Sequence, residues 1–326
     1  VKLLVVRFSS IGDIVLTTPL LRSLKDQLGG VELHFLTKRS FAGTIELNPD
    51  IDRLFTIDKS INECMEDLKR ESYDHVIDLH NNIRTCSLAL KLGVPVARFP
   101  KHNLKKWLYV RFKLDKLPNV HVVDRYFKTV EKLGVQNRGY AVSFPIDDKD
   151  MVGLKKHQLE EGKYVCIAIG ARFATKQIPV ESLVKIIDTL NSRVVLLGGK
   201  GDLDRSDEIL RSVQNPQNVV NLSGKLSLRQ SASVIKQCAK LLTGDTGMMH
   251  IASAYDVQIE SVWGNTTPKL GMYPYRPKNP DSFFIHEVEG LDCRPCSKIG
   301  FDKCPKGHFK CMNDQNLEKI ANRLKG

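Results

Sequence analysis

Apolar and polar positions alternate in blocks along this chain. Short apolar runs at Lys2–Phe8, Val31–Thr37, Arg53–Ile57 and His75–Leu79 read as buried strands. Between them, Ile14–Leu28, Ser40–Leu47 and Ile61–Glu71 carry apolar residues at helical spacing, and another helix is expected over Val123–Leu133. The polar, proline-containing stretch Val142–Asp150 reads as a linker. The pattern then restarts with strands Tyr164–Gly170, Val194–Leu197, Val219–Leu222, Lys240–Thr243 and Ile259–Trp263. Helices are expected at Pro179–Leu190, Leu203–Val213, Leu228–Gln237, Gly247–Ala254 and Asn316–Leu324.

Strand–helix alternation predicts an α/β protein whose parallel sheets are covered on both faces. Two such runs predict two doubly wound domains, residues 1–150 and 151–312, with 313–326 a C-terminal helix packing near the domain junction. Ligands of such sheets bind beyond the carboxyl ends of the strands, so the two domains are expected to share a cleft.

The chain has 326 residues, of which 42% are hydrophobic, enough for two cores. No apolar run approaches the roughly 20 residues that span a bilayer. The first run is a short strand and not a leader, so a cytoplasmic location is expected. The formal net charge of +12 directs attention to anionic partners: nucleotide phosphates, anionic lipid headgroups or nucleic acid. A protein that is merely basic is the alternative.

Three strand-to-helix loops carry the candidate chemistry. In "RFSSIGDIVLTTP", Ser10 and Gly12 lie in the first loop, where glycine allows close backbone approach. Asp13 starts the helix that follows. It is either a catalytic carboxylate or a helix-end charge worth about 0.3–1 kcal/mol. In "IGARFATKQIPVE", Gly170 gives a tight turn, Ala171 follows it, and Arg172 and Lys176 bring positive charge ahead of a helix. That combination suits a diphosphate. In "TGDTGMMHIASAY", Asp245, Thr246 and Gly247 open a helix with His250 one turn inside. The glycines of "LGGKGDLD" lack the third glycine of a dinucleotide fingerprint. They suit a turn near a base or ribose, with Asp202 as an acceptor.

Two further stretches stand out. "KHNLKKWLYVRFKL" interleaves Lys101, Lys105, Lys106, Arg111 and Lys113 with Trp107, Tyr109 and Phe112. It fits an anionic membrane face, an anionic acceptor, single-stranded nucleic acid, or a helix with a solvated charged side. Arg84 and Arg98 are further candidates for acceptor contact. Cys293, Cys296, Cys304 and Cys311 follow the pattern C-x2-C-x7-C-x6-C with His308 inside it. Structural zinc, free thiols and disulfides are the open alternatives, and any metal here would staple a loop, not perform the reaction.

The "SSIGDIVLTTP" loop, the "GA…K…P" loop and "DTGMMHIASA" followed by "VWGNTTP" together resemble glycosyltransferase family 9, the heptosyltransferases of lipopolysaccharide core assembly. The resemblance runs in order over nearly the whole chain and argues against nucleic acid as a partner. It implies a GT-B fold of two Rossmann-like domains facing across a cleft. It also implies ADP-L-glycero-D-manno-heptose as donor and the Kdo-containing inner core of lipid A as acceptor, a lipid-linked glycan at the cytoplasmic face of the inner membrane. The implied reaction inverts the anomeric centre and requires no cofactor. By position, Asp13 resembles the general base and Lys176 the diphosphate-binding lysine. Asp245, Thr246, Gly247 and His250 resemble the donor site, and Asp202 and Leu226 fall near positions that contact adenosine. Two departures concern the donor: Ala171 and Arg172 replace threonines of some members, and Asn265 replaces a common proline.

Overall fold

A computed structural model describes residues 1–325. It divides into two compact units, one formed by 1–103 with 119–145 and the other by 104–118 with the chain from 146 onward.

The first unit is built from β1 (Lys2–Val6), α1 (Ile11–Val15), α2 (Thr18–Gln27), β2 (Glu32–Lys38), β3 (Arg53–Ile57), α3 (Met65–Arg70), β4 (His75–Asp78), α4 (Ile83–Leu92) and β5 (Val96–Arg98). The helix α5 (Asn103–Phe112) follows, and α6 (Val122–Phe127) returns to the first unit. All strand pairs are parallel, in the order β3-β2-β1-β4-β5. Leu3, Leu4, Val5 and Val6 are all fully buried, as expected of a central strand covered on both faces. The order reverses between β1 and β4, which makes their carboxyl ends the binding edge.

The single helix expected over Ile14–Leu28 is two helices. Pro19 has no N–H to give to Val15, so the α-helical ladder cannot run through it. The Thr17 and Thr18 hydroxyls instead donate to the carbonyls of Ile14 and Val15, at 2.7 and 2.8 Å. The helix expected at Ser40–Leu47 is a 3-10 segment, Arg39–Thr44. The one expected at Val123–Leu133 closes early at Phe127.

The second unit contains β6 (Tyr164–Ala168), α7 (Val180–Ile187), β7 (Arg193–Leu197), α8 (Leu203–Ser212), β8 (Val219–Asn221), α9 (Leu228–Lys236), β9 (Lys240–Gly244), α10 (Gly247–Ala252), β10 (Gln258–Trp263), β11 (Phe283–Glu287), α11 (Lys310–Asn313) and α12 (Leu317–Lys325). Its parallel sheet runs β11-β10-β9-β6-β7-β8, with the switch between β6 and β9. One face is filled by Ile167, Leu183, Ile186, Leu242 and Ile320, the other by Cys166, Val195, Val234, Leu241 and Trp263.

The C-terminal helix α12 packs on α7 and β10 within this unit. Arg323 anchors it at 2.8 Å to Glu260, which is fully buried and also bonded to His286 at 2.7 Å. The segment 104–118, expected with the N-terminal domain, is grouped with the second unit. Lys113 donates to the Pro295 carbonyl at 2.6 Å, and Asp115 pairs with Lys269 at 3.0 Å.

Candidate active site

In the first unit, the loop after β1 holds Asp13 in the short helix α1. Ser10 precedes that helix and donates from its hydroxyl to Asp13 Oδ2 at 2.8 Å, and from its backbone N–H to the same oxygen at 3.2 Å. The other carboxylate oxygen meets Arg7 Nη2 at 2.5 Å. Arg7 is itself buried, with Nε on the Ser9 carbonyl at 2.8 Å and Nη1 on the Leu79 carbonyl at the end of β4. One side chain thus joins both strands of the switch point to the carboxylate. The Asp13 side chain retains 23% of its exposure, enough to meet a ligand. Burial pushes its pKa up, but the Arg7 charge and the Ser10 hydrogen bonds outweigh that and hold it below the ordinary value. Asp13 is therefore a carboxylate at neutral pH, able to accept a proton.

Around it the same edge is cationic. His80 follows β4, and its ring lies tilted against Phe8 with centroids 5.0 Å apart. Burial first, and then the charges of Arg7 and Lys101, push it down to about 3, so it is a neutral imidazole. Arg84, exposed at the start of α4, lies 5.7 Å over the Phe8 ring. Arg98 is exposed at the carboxyl end of β5. These groups suit an anionic ligand. Two sequence candidates behave differently. Gly12 is buried inside α1, and Lys105 is exposed on α5, in the segment grouped with the second unit.

In the second unit, the carboxyl ends of β6 and β9 carry the other two loops. Lys176 closes the 3-10 turn Ala174–Lys176, and its ammonium sits 2.6 Å from Asp245 Oδ2. Thr266, in the turn after β10, donates to the same oxygen at 2.9 Å. An ammonium has three donors, so the pairing leaves capacity for phosphate oxygens. Thr246 precedes α10 and shares a 3.1 Å hydrogen bond with the Thr243 hydroxyl. Gly247 opens the helix and His250 is enclosed one turn on. Arg172 is exposed, stacked at 5.4 Å over Phe173, and Ala171 gives its carbonyl to Gln177 at 3.2 Å.

Asp202 has a structural task beside Gly170. It accepts from the Gly199 N–H at 2.8 Å, and a Cβ on Gly170 would strike its carboxylate. Glycine at 170 thus lets the β6 loop rest against Asp202. Leu226 is half-buried against the sheet core, between β8 and α9.

Arg7, His80 and Thr266 belong to these sites and escape a reading of the loops alone. Arg7 had a signal: a lone charge inside an apolar strand demands a buried partner. Thr266 lies in the "VWGNTTP" stretch, but nothing local marks it out from its neighbours, because its partner Asp245 is 21 positions away.

The fold is found in a solved structure. "E. coli heptosyltransferase WaaC with ADP" superposes with a TM-score of 0.70 at 17% identity, covering 99% of this chain and 99% of that one. Two parallel doubly wound units, each with polar loops at its switch point, give the chain the GT-B fold. The sequence model of glycosyltransferase family 9 (heptosyltransferase) matches residues 61–289, and the chain belongs to that family. Among its relatives, "Lipopolysaccharide heptosyltransferase 3" of Escherichia coli is 25% identical over 78% of this chain and 80% of its own length. "Lipopolysaccharide heptosyltransferase 1" of Pseudomonas aeruginosa is 24% identical over 91% and 86%.

Proposed function

We propose that this enzyme moves a heptose from ADP-L-glycero-D-manno-heptose to the Kdo–lipid A inner core of lipopolysaccharide, with inversion at the anomeric carbon. The observation that carries the reading is the Lys176–Asp245–Thr266 cluster at the β6/β9 switch point in a chain of the heptosyltransferase family. The names of the relatives supply lipopolysaccharide, and the WaaC structure supplies ADP.

Lys176, with Arg172 at the mouth of the same loop, holds the diphosphate and stabilises the negative charge that grows on ADP as the glycosidic bond breaks. The cation needed at that point is then a side chain, and the transfer itself requires no metal. In the first unit, Asp13 takes the proton from the acceptor hydroxyl as its oxygen attacks the anomeric carbon. Arg84, Arg98 and Lys101 receive the anionic groups of the acceptor. Among the described residues no helix is long and apolar enough to cross a membrane. The helix α5, with Trp107 53% exposed among lysines, suits peripheral contact with an anionic bilayer surface.

The test combines calorimetric ADP binding with transfer to Kdo–lipid A read by mass, and the product anomer by NMR. Lys176→Ala weakens ADP binding by about 10-fold or more, from the loss of a charged hydrogen bond of about 1.5–3 kcal/mol. Asp13→Asn lowers turnover by about 100- to 10,000-fold with ADP affinity unchanged. Failure of the wild-type chain to bind ADP, or full turnover by Asp13→Asn, overturns the reading.

A further inference from the structure

We propose that α4 presents an outward aliphatic seam, Ile83 and Leu90 flanked by Arg84 and Lys91, that lies on an anionic bilayer and gives the first unit its own lipid contact. The inference rests on the reading of the acceptor as lipid-linked. It extends that reading from the charged groups of the site to a surface of the fold.

The sequence of α4, IRTCSLALKL, holds more apolar residues than one buried stripe requires. Thr85, Leu88 and Ala89 are buried, and Leu88 and the half-buried Leu92 pack on the core formed by Leu4, Val6, Leu36 and Val76. Those residues account for the inner face. Ile83 and Leu90 are 89% and 82% exposed, the two most exposed large apolar side chains among the described residues. Seven residues make about two turns, so the two stand in one row along the helix, with the small, half-buried Ser87 between them. A helix packed on a sheet ordinarily turns polar residues to water. This one turns aliphatic residues there as well.

The charges beside the seam are of one sign. Arg84 and Lys91, also seven apart, are both exposed and run along its flank. The Lys91 ammonium donates to Asn62 Oδ1 at 2.6 Å, which leaves two of its three donors for other acceptors. No Asp or Glu occurs between Asp78 and Asp115, whereas that span holds eight lysines and arginines. Of the twelve exposed large apolar side chains among the described residues, six fall in the same span. Exposed apolar residues scattered singly need no explanation, but here they are concentrated where anionic side chains are absent.

That composition selects the partner. A bilayer surface offers anionic headgroups for Arg84 and Lys91 and hydrocarbon for Ile83 and Leu90. A second copy of this chain packed seam to seam would instead bring Arg84 and Lys91 against their own counterparts, and like charges in contact oppose association. The seam also adjoins the acceptor groups. Arg84, the residue after Ile83, lies 5.7 Å over the Phe8 ring, so one helix start serves both the anionic acceptor and the lipid contact.

The experiment measures co-sedimentation of the full chain with vesicles of phosphatidylethanolamine and phosphatidylglycerol in equal parts, and with vesicles of phosphatidylcholine alone. Transfer is read in parallel with the acceptor embedded in the anionic vesicles and with its deacylated, water-soluble form. The wild-type chain is expected to bind the anionic vesicles, and more weakly as salt rises. The double variant Ile83→Gln/Leu90→Gln is expected to bind them on the order of 10-fold more weakly, and Lys91→Gln about 5-fold more weakly. For the double variant, KM for the embedded acceptor rises while transfer to the soluble acceptor is unchanged, a split that a merely structural role would not produce. Met151→Gln is the control, because Met151 is exposed beside Asp148 and Asp150 and its replacement leaves vesicle binding as it was. Vesicle binding by the double variant equal to wild type, or no binding by the wild-type chain, overturns the proposal. A wild-type dimer in light scattering that the double variant loses, with vesicle binding unaffected, assigns the seam to a second copy and also overturns it. Seam-dependent vesicle binding by an enzyme that transfers to neither acceptor form refutes the acceptor reading and not the surface.

Discussion

Gly244 ends β9 directly beneath the carbonyl of Lys176. A Cβ at this position would overlap the Lys176 oxygen, a backbone atom with no rotamer through which to escape. Ordinary contact between such atoms is about 3.5 Å, so Gly244→Ala forces the Ala174–Lys176 turn back by about 1 Å. The ammonium that now lies 2.6 Å from Asp245 moves with its backbone. Misplacement of that size costs on the order of 100-fold in rate, and the overpacking costs about 1–3 kcal/mol of stability. The assay is ADP binding by calorimetry beside kcat/KM for heptose transfer, with thermal unfolding to show that the variant is folded at the assay temperature. Gly153→Ala is the control, since nothing lies within 4 Å of a Cβ there. A folded Gly244→Ala enzyme with wild-type ADP affinity and kcat/KM would refute the placement of the diphosphate at Lys176.

Two further predictions concern pH. Asp13 is held below its ordinary pKa against burial by Arg7 and Ser10, so Arg7→Met leaves burial to act and moves the acid limb of kcat/KM to higher pH. The stability that Asp13 contributes is present above its unfolded pKa near 3.9 and lost as pH falls through the lower folded value; Arg7→Met diminishes it, and an unmoved acid limb would contradict the assignment. His80 is pushed down to about 3 by burial and by neighbouring cations, whereas an unfolded histidine titrates near 6.5. Between those values the unfolded chain takes up a proton that the folded chain does not, so stability falls as pH drops through that window. His80→Gln flattens the dependence, and denaturation midpoints with the same slope in both proteins would show that His80 is not responsible.

The sheets were legible because their strands are buried on both faces and appear as unbroken apolar runs, such as the one ending β1. Edge strands were not: β5 is three residues beside Pro95, and β11 has its phenylalanines only half-buried. The break before α2 was signalled by Pro19, yet the apolar periodicity continues across it and hides the break. The site loops were visible because glycines and charges interrupt apolar patterns at strand ends. What binds them together was not visible. Arg7 reaches Leu79 through the β1–β4 register, 72 positions away, and no local pattern encodes that distance. Asp202 was legible as an acceptor beside a glycine turn, whereas its bond to the Gly199 N–H and its close packing on Gly170 were not.

The excursion of residues 104–118 into the second unit restricts how this enzyme can be dissected. Cutting at Pro145 would leave an N-terminal fragment still carrying a segment whose partners, Pro295 and Lys269, are gone, and a C-terminal fragment missing the same piece. Chimaeras that exchange the first unit between relatives need three junctions, near 103, 118 and 145, so that α5 travels with the second unit.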